Sequence, residues 1–437
     1  LIRGFNNAMT MATWLAVLKA GAVAVATMPL LRAPELKKYI AKAKVGLAIT
    51  DYRLQDELDK AAAPELERIV AFGGSELEEL MEEQTDSFEA VPTSAEDVAL
   101  LGFTSGTTGQ PKATMHFHRD VLAMSDTAAR HVIQPEESEV FTGSPPFAFT
   151  FGLGALVVFP MRFHCTTMLI EKPSPDALMD AIEKGASTLF TAPTMYRALL
   201  SQLGGRNMNA LRKCVSAGEH LPKVTWDDWH DHTGIRIIDG LGATEMIHIF
   251  ISASDDDIRP GATGKAVPGY EACVLDDDFE PLPPGSTGKL AVRGPTGCRY
   301  LDDPRQKEYV VNGWNVTGDT FRMDEDGYFW YVARSDDMIV SAGYNIAGPE
   351  VEEALLHHDA VQECAVVGAP DEARGQVVKA FVVLKSGANV SARELQDFVK
   401  AEIAPYKYPR LVEFVESLPK TATGKIQRFK LKEQAEA

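Results

Sequence analysis

The chain predicts an α/β fold: a large N-terminal α/β domain of mostly parallel sheet, with a small β-rich subdomain, followed by a small C-terminal α+β domain. Three observations carry this expectation. Short apolar strand-like runs alternate with helix-like segments up to about residue 335, the pattern that layers helices on a largely parallel sheet. From about residue 261, turns rich in Gly, Pro and Asp separate short strands. After SDDMIV a helix, two strands and another helix follow. A length of 437 residues suits two or three domains, and the division is placed so as to give domains of 1–335 and 336–437. A C-terminal unit of ~100 residues is an ordinary domain size.

At the start of the chain, Met9 to Leu31 is apolar enough to suggest a membrane span, but Lys19, Gly21 and Pro29 interrupt it. It reads instead as a buried helix followed by a strand. With no initiator Met and no basic-then-apolar leader, no targeting signal is read, and the chain is expected to begin inside a domain. AVATM (24–28), VGLAIT (45–50), RIVAF (68–72), residues 98–103, TLFTAP (188–193) and IRIIDG (235–240) are strand-like. The acidic stretch 75–97 reads as a solvated helix and linker, and PDALMDAIEKG (175–185) and PTMYRALLSQL (193–203) as helices. EACVLDD, GKLAVRG and GYFWYVAR supply the β-rich subdomain. Beyond it come a helix at 349–358, strands at 361–368 and 377–385, and a helix at 392–403.

Composition excludes several function classes. A hydrophobic share of 45% with 24% charged residues is that of a globular chain with a large core. The net charge of −19 argues against nucleic acid or an anionic membrane surface as partner. An anionic substrate therefore needs a local basic site working against the global field. Five cysteines (Cys165, Cys214, Cys273, Cys298, Cys364) are widely spaced, with no CxxC and no Cys/His metal spacing, so reduced thiols and a cytoplasmic setting are expected.

Residues 100–118 read LLGFTSGTTGQPKATMHFH. Between the apolar run and its continuation lie Thr104, Ser105, Gly106, Thr107, Thr108, Gly109, Gln110, Pro111 and Lys112. A loop that cradles phosphate needs glycines so that backbone amides approach the anion, hydroxyls as further donors, and a cation. This stretch supplies all three. It is not a Walker A loop, because only two residues separate Gly106 from Gly109 and Gln110-Pro111 precede the lysine. On loop chemistry alone, an ordinary Thr/Gly turn stays open as the alternative.

Four further segments occur in order: SAGE (216–219), DGLGATE (239–245), TGDTFRMDEDGYFWYVARSDDMI (317–339) and LPKTATGKIQR (418–428). Together with TSGTTGQPK they resemble the adenylate-forming superfamily of acyl-CoA synthetases, luciferases and peptide-synthetase adenylation domains. The resemblance spans residues 104–428. It implies ATP with Mg²⁺ and, for the acyl-CoA synthetases, CoA as co-substrate. Complete relatives carry a substantial segment ahead of the position matching Leu1, so the resemblance implies that the start of the large domain is truncated here.

Carried over position by position, the resemblance gives each segment a role. Thr104 to Lys112 wrap the β- and γ-phosphates. Asp239, Gly240, Leu241 and Gly242 line the adenine, with Leu241 standing where many relatives have Tyr. Thr244 donates to the α-phosphate, and Glu245 is the hard-oxygen ligand of Mg²⁺. Asp319 accepts both ribose hydroxyls, a task suited to a carboxylate. Arg334 is a second ribose and phosphate contact, and Asp336 is the hinge at which the mobile C-terminal domain rotates. Lys425 is the catalytic cation that bridges substrate carboxylate and α-phosphate. Carboxylate attack on a phosphate brings two anions together, and a desolvated cation lowers that barrier. By resemblance to medium-chain acyl-CoA synthetases, Gly343 and Tyr344 line a pantetheine tunnel, while Arg374, Lys400 and Tyr408 hold the CoA nucleotide.

FTFGLG, GATEMIHIF, SAGYNIAGPEVE and APYKYPR narrow the resemblance to the benzoate-CoA ligase and 2-aminobenzoate-CoA ligase group. That match places Thr150, Phe151, Ala217, Gly242, His248 and Ile249 against the aromatic ring or its carboxylate. Phe147, Phe149 and Phe151 favour a flat, compact acid over a long chain, although an aromatic cluster is more often simply core. Benzoate-specific relatives tend to carry Ala where this chain has Thr150, and a hydroxyl there suits an ortho amino or hydroxy group. The expected partners are thus a small aromatic carboxylic acid, ATP and CoA, with no nucleic acid and no membrane; a homodimer is the oligomeric expectation. A medium-chain fatty acyl-CoA synthetase, a peptide-synthetase adenylation domain, a bioluminescent oxygenase and a non-catalytic ATP- or acyl-CoA-binding module remain as alternatives.

Overall fold

The computed structural model describes residues 1–104, 111–334, 337–341, 344–371, 374–421 and 424–436. Among them, a four-stranded parallel sheet runs in the order Ala26–Thr27, Ile2–Arg3, Leu47–Asp51, Arg68–Phe72. Its first strand is tied down by Arg3, which is 1% exposed and donates to the carbonyls of Met28, Pro29 and Leu31 at 2.8 Å each. A buried guanidinium is tolerated here because its donors are met by backbone oxygens. The apolar opening forms the helix Ala8–Lys19, capped by the Asn7 side chain accepting from the Thr10 amide at 2.9 Å, and then the strand Ala26–Thr27. The expected helix-then-strand is therefore found, and no described helix is long and apolar enough to cross a membrane.

A second sheet of seven strands has the order Lys265–Ala266, Ile249–Ser252, Ile237–Gly242, Lys213–Ala217, Thr188–Thr191, Val140–Gly143, Thr166–Thr167. The last five are parallel to their neighbours; the first two are antiparallel additions at the edge. The interface of these layers is a single large core that includes Trp14, Met124, Phe141, Phe159, Phe190, Phe250 and Phe321. The helices at 175–185 and 193–203 form as expected but stop at Glu183 and Leu200. Two helical stretches, Ser125–Ile133 and Gly154–Val158, are π-wound, which the 3.6-residue pattern does not reveal.

The β-rich subdomain is antiparallel, with Trp314–Met323 pairing with Thr287–Arg293, Val310–Val311 and Phe329–Arg334. Its hairpin from Val311 to Trp314 turns on Asn312 (φ 51°) and Gly313 (φ 82°), the positive-φ Asn-Gly turn whose twist matches that of paired strands. The C-terminal unit is a second α+β body with its own core of Ile339, Ile346, Val351, Leu355, Val378, Val382, Leu395 and Val399. Its sheet runs Tyr344–Ile346, Ile339–Ser341, Gly375–Leu384, Val361–Asp371, with Leu411–Phe414 added in parallel to Gly375–Leu384. The helices Gly348–Leu356, Ala392–Glu402 and Arg428–Glu436 accompany it. The expected boundary at residues 335 and 336 lies outside the described residues.

Candidate active site

The hydroxyl-rich stretch joins an antiparallel hairpin, Val98–Thr104 with Lys112–Phe117, and Thr104 pairs with Lys112 at its mouth. Ser105, Gly106, Thr107, Thr108 and Gly109 lie outside the described residues. The buried Thr104 Oγ1 has no hydrogen-bond partner among the described residues. Lys112 points to a carboxylate and a phenol: its Nζ is 3.7 Å from Glu245 Oε1 and donates to the Tyr300 hydroxyl at 3.0 Å. Tyr300 donates in turn to Glu245 Oε1 at 2.6 Å. Burial and the neighbouring Glu245 charge hold the Tyr300 phenol well above its usual range, so it stays a donor. This Lys112–Tyr300–Glu245 ladder joins two residues expected from sequence through one that was not.

Glu245 is 7% exposed and sits in the turn Thr244–Met246, which ends at Ile247 with φ 67°. A β-branched residue in that region is strained, so packing must hold the turn. His116 supplies one restraint. Its ring is completely buried and its Nε2 donates to the Thr244 carbonyl at 2.6 Å, with Asp120 Oδ2 3.7 Å from Nδ1. Gly102 supplies room, since a Cβ there would lie 2.7 Å from Thr244 Cγ2. The donor set fits a hard cation only in part. Glu245 is one carboxylate, and no group of three or more His, Cys, Asp or Glu side chains suited to a metal is found among the described residues. Mg²⁺ there would need phosphate oxygens and water for its remaining ligands.

Asp239, Gly240, Leu241 and Gly242 lie on the strand Ile237–Gly242 that leads into this turn. Gly240 and Gly242 are required by close approach: a Cβ at the first would meet Ile249 Cδ1 at 2.5 Å and at the second the His248 carbonyl at 2.8 Å. Strand alternation turns the Asp239 side chain the other way, toward a small cavity lined by Leu221, Trp226, Ile258 and Thr263. Any contact of Asp239 with adenine thus falls to its backbone. Burial pushes the Asp239 carboxyl up to about 8, against the opposing pull of the Gly240 amide and the Thr263 hydroxyl. Between 3.8 and 8 the folded chain holds a proton that the unfolded chain has lost, so this group makes stability fall as pH rises across that window. The buried rings of His220 and His248, both lowered to about 4, act oppositely between 4 and 6.5. Asp239→Asn removes only the first effect. The melting-temperature difference, variant minus wild type, is expected to grow steadily from pH 4 to pH 8, and a flat difference would contradict it.

Asp319 and Arg334 are register partners on adjacent strands, and Arg334 donates to Asp319 Oδ1 at 3.3 Å. Gly318 (φ 80°) lets the guanidinium lie close, because a Cβ there would be 3.3 Å from Arg334 Nη2.

The segment expected to form the acyl pocket surrounds His248. Phe159 and Phe151 lie 4.7 and 5.8 Å from its ring, and Phe190 lies 6.2 Å from Phe151. A Cβ on Gly154 would be 2.5 Å from His248 Cδ2, so the π-wound turn carrying Gly154 makes room for the imidazole. Burial lowers His248 to about 4 and leaves it neutral near pH 7, an aromatic wall rather than a cation for a carboxylate. Thr150 begins the short helix Thr150–Leu153, Ile249 opens the strand after His248, and Ala217 ends its strand opposite Gly240. Phe147 is buried. Sequence reasoning missed Phe159 and Phe190 because neither lies in a motif.

Lys425 is exposed on a turn closed by the Thr421 amide donating to the Lys425 carbonyl at 2.6 Å. That turn faces the large domain: a Cβ on Gly424 would lie 3.4 Å from Thr194 Oγ1. Glu219, at the end of SAGE, is held above the usual carboxylate range by burial, while Lys425 is the strongest of the cations pulling it back. His220 stacks on Tyr331 at 4.9 Å beside the Arg428–Glu352 ion pair, and the Val224 amide donates to Glu353 at 2.9 Å. Of these, the Val224–Glu353 hydrogen bond and the approach of Gly424 to Thr194 link the two bodies, while the His220–Tyr331 stack and the Arg428–Glu352 pair each lie within one of them.

The CoA candidates are brought together only in part. Lys400 Nζ and the Arg410 guanidinium lie 4.4 and 4.7 Å from the Tyr408 ring centroid, and Tyr344, 56% exposed, packs on Tyr406 at 4.8 Å. Arg410 and Tyr406 were not expected from sequence. Lys400 also donates to Asp397 at 2.8 Å. Arg374 stands beside Gly375, which pairs with Ser341 at the base of the hairpin carrying Tyr344. Gly343 and Asp336 lie outside the described residues.

Residues 1–299 match the family described as AMP-binding enzyme, and residues 350–425 match the AMP-binding enzyme C-terminal domain. The chain is 37% identical over 435 residues to the benzoate–CoA ligase of Thauera aromatica, covering 96% of this chain and 82% of that protein. It is 34% identical over 448 residues to the mouse (Mus musculus) mitochondrial acyl-coenzyme A synthetase ACSM3, covering 96% and 77%. Among solved structures, the anthranilate CoA ligase AuaEII in complex with anthranoyl-AMP superposes with a TM-score of 0.95 at 35% identity, covering 100% of this chain and 87% of that one. The benzoate CoA ligase of Burkholderia xenovorans LB400 gives 0.90 at 31%, covering 99% and 89%. Matched motifs, two-body architecture and these likenesses agree: this chain belongs to the AMP-binding enzyme family of the adenylate-forming superfamily.

Proposed function

We propose that the chain is an AMP-forming acid–thiol ligase that activates a small aromatic acid, 2-aminobenzoate or benzoate, and transfers it to CoA. The observation that carries the aromatic assignment is the wall of Phe151, Phe159, Phe190 and neutral His248, whose histidine follows three residues after Glu245 in the segment that also carries Thr244. The names of the benzoate and anthranilate ligases it resembles support the same reading.

In this mechanism the acid's carboxylate oxygen attacks the α-phosphorus of ATP, the bond to the β-phosphate oxygen breaks, and pyrophosphate leaves. Lys112 meets the polyphosphate charge, Thr244 the α-phosphate, and Asp319 with Arg334 the ribose. Lys425 approaches the reacting oxygens from the C-terminal body, where its charge offsets the repulsion between two anions. Mg²⁺ bound through Glu245 and phosphate oxygens would neutralise charge on the departing pyrophosphate. The CoA thiolate then attacks the acyl carbon and AMP departs with the bonding electrons. Tyr344, Arg374, Lys400 and Tyr408 are the residues proposed to guide CoA.

ATP-dependent pyrophosphate release, measured across benzoate, 2-aminobenzoate, hexanoate and amino acids with and without CoA, tests the reading. Aryl-dependent release with CoA thioester formed supports it. Preference for hexanoate would move the assignment to a medium-chain acid, the alternative acyl-CoA synthetase reading. The ratio of 2-aminobenzoate to benzoate in wild type and Thr150→Ala reports whether the Thr150 hydroxyl selects the ortho group.

A further inference from the structure

Tyr309 stands in no motif, yet it lies against the ladder that joins Lys112 to Glu245. Its ring centroid is 5.9 Å from Lys112 Nζ and 5.8 Å from the Tyr300 ring, which meets it edge-on. Unlike Tyr300, whose hydroxyl bridges Lys112 and Glu245, Tyr309 has a buried hydroxyl with no hydrogen-bond partner among the described residues. A buried donor left unpaired is costly, and few native side chains are left so unless something else meets them.

The local chain explains how the ring is delivered. Tyr309 ends the short helix Gln306–Tyr309 and leads into Val310–Val311. That strand folds back through the Asn312–Gly313 turn onto Trp314–Met323, the strand that carries Asp319. Burial above all, and then the negative charge on Glu245 and on Asp319 against an opposing pull from Arg334, holds the hydroxyl's pKa well above the ordinary phenol value. It is therefore a donor throughout the working pH range. Resting on the proposed function, Glu245 serves the polyphosphate end of ATP and Asp319 the ribose. The α-phosphate is the group chemically between those two ends.

We propose that Tyr309 is a further nucleotide-binding residue, whose hydroxyl donates a hydrogen bond to an α-phosphate oxygen of the bound nucleotide. The consequence is a pair of effects that a structural tyrosine does not produce. Tyr309→Phe keeps the ring and its packing and deletes only the unpaired hydroxyl. The free variant is therefore expected to melt at the same or a higher temperature than wild type. Its dissociation constant for AMP, measured by calorimetry, is expected to rise about 10-fold, as for loss of a hydrogen bond to a charged group. Binding of adenosine, which lacks the phosphate, is expected to be unchanged.

An unchanged AMP dissociation constant overturns the assignment. So does a fall in melting temperature, which would mean that the hydroxyl has a protein partner, or an equal loss for adenosine, which would move the contact to the sugar. Wild type that failed to bind AMP at all would instead sink the adenylate-forming reading on which the inference rests.

Discussion

Lys425→Ala is expected to lower ATP-dependent pyrophosphate release by ~10²–10³, the usual loss when one preorganised charge is removed from a developing anion. Thioester formation from supplied aryl-adenylate is expected to stay within a few-fold of wild type. The separation comes from the two half-reactions. Only the first brings a carboxylate against a phosphate, so only the first needs a cation between them. Stability should hardly change, because the side chain is exposed and the turn is closed by backbone and Thr421 contacts that alanine retains. Glu219 makes the position informative. Burial keeps its carboxyl above the ordinary range and Lys425 is the first of the cations that pull it back, so the lysine lies within electrostatic reach of the buried end of SAGE. Equal loss in both half-reactions, or no loss in either, would remove Lys425 from the role proposed.

How far this site was legible depends on how its parts are spaced along the chain. The strand Arg68–Phe72 and the helix Ala392–Glu402 were readable because local pattern and caps coincide; Ser391 and Glu394 form a capping box. The hydroxyl-rich loop, the DGLGATE segment and the Lys425 turn could be singled out in the sequence because each packs its candidate residues into fewer than a dozen consecutive positions. Tyr300 and His116 could not. Tyr300 reaches Lys112 across 188 positions and His116 reaches Thr244 across 128, and no local pattern records such contacts. Asp239 shows a different limit. Its neighbours in DGLGATE approach the site, but a period of two sends its side chain to the opposite face of the strand, among Trp226 and Ile258. The π-wound turn at Gly154 was hidden for a third reason: inserting one residue into a helical turn leaves the apolar character intact while rotating the next turn of the helix.

Glu245→Gln is the second change expected to have a large effect, and it separates charge from shape. Glutamine keeps the length of the side chain and an oxygen to accept from Tyr300, now 2.6 Å from Glu245 Oε1, so the turn Thr244–Met246 should hold. His116 still restrains the Thr244 carbonyl, and Gly102 still leaves room for Thr244 Cγ2. What disappears is the negative charge facing Lys112 at 3.7 Å and, on the function proposed, the hard ligand for a divalent cation. Pyrophosphate release is therefore expected to fall ~10²–10³ in kcat/KM, with a higher Mg²⁺ concentration needed for half-maximal rate and a melting temperature close to that of wild type. Were the ladder only a structural brace, the Mg²⁺ requirement would not move and any lost activity would follow a lowered melting temperature. Measuring both on one preparation decides between a carboxylate that binds the reacting complex and one that merely fastens the strand end to Tyr300.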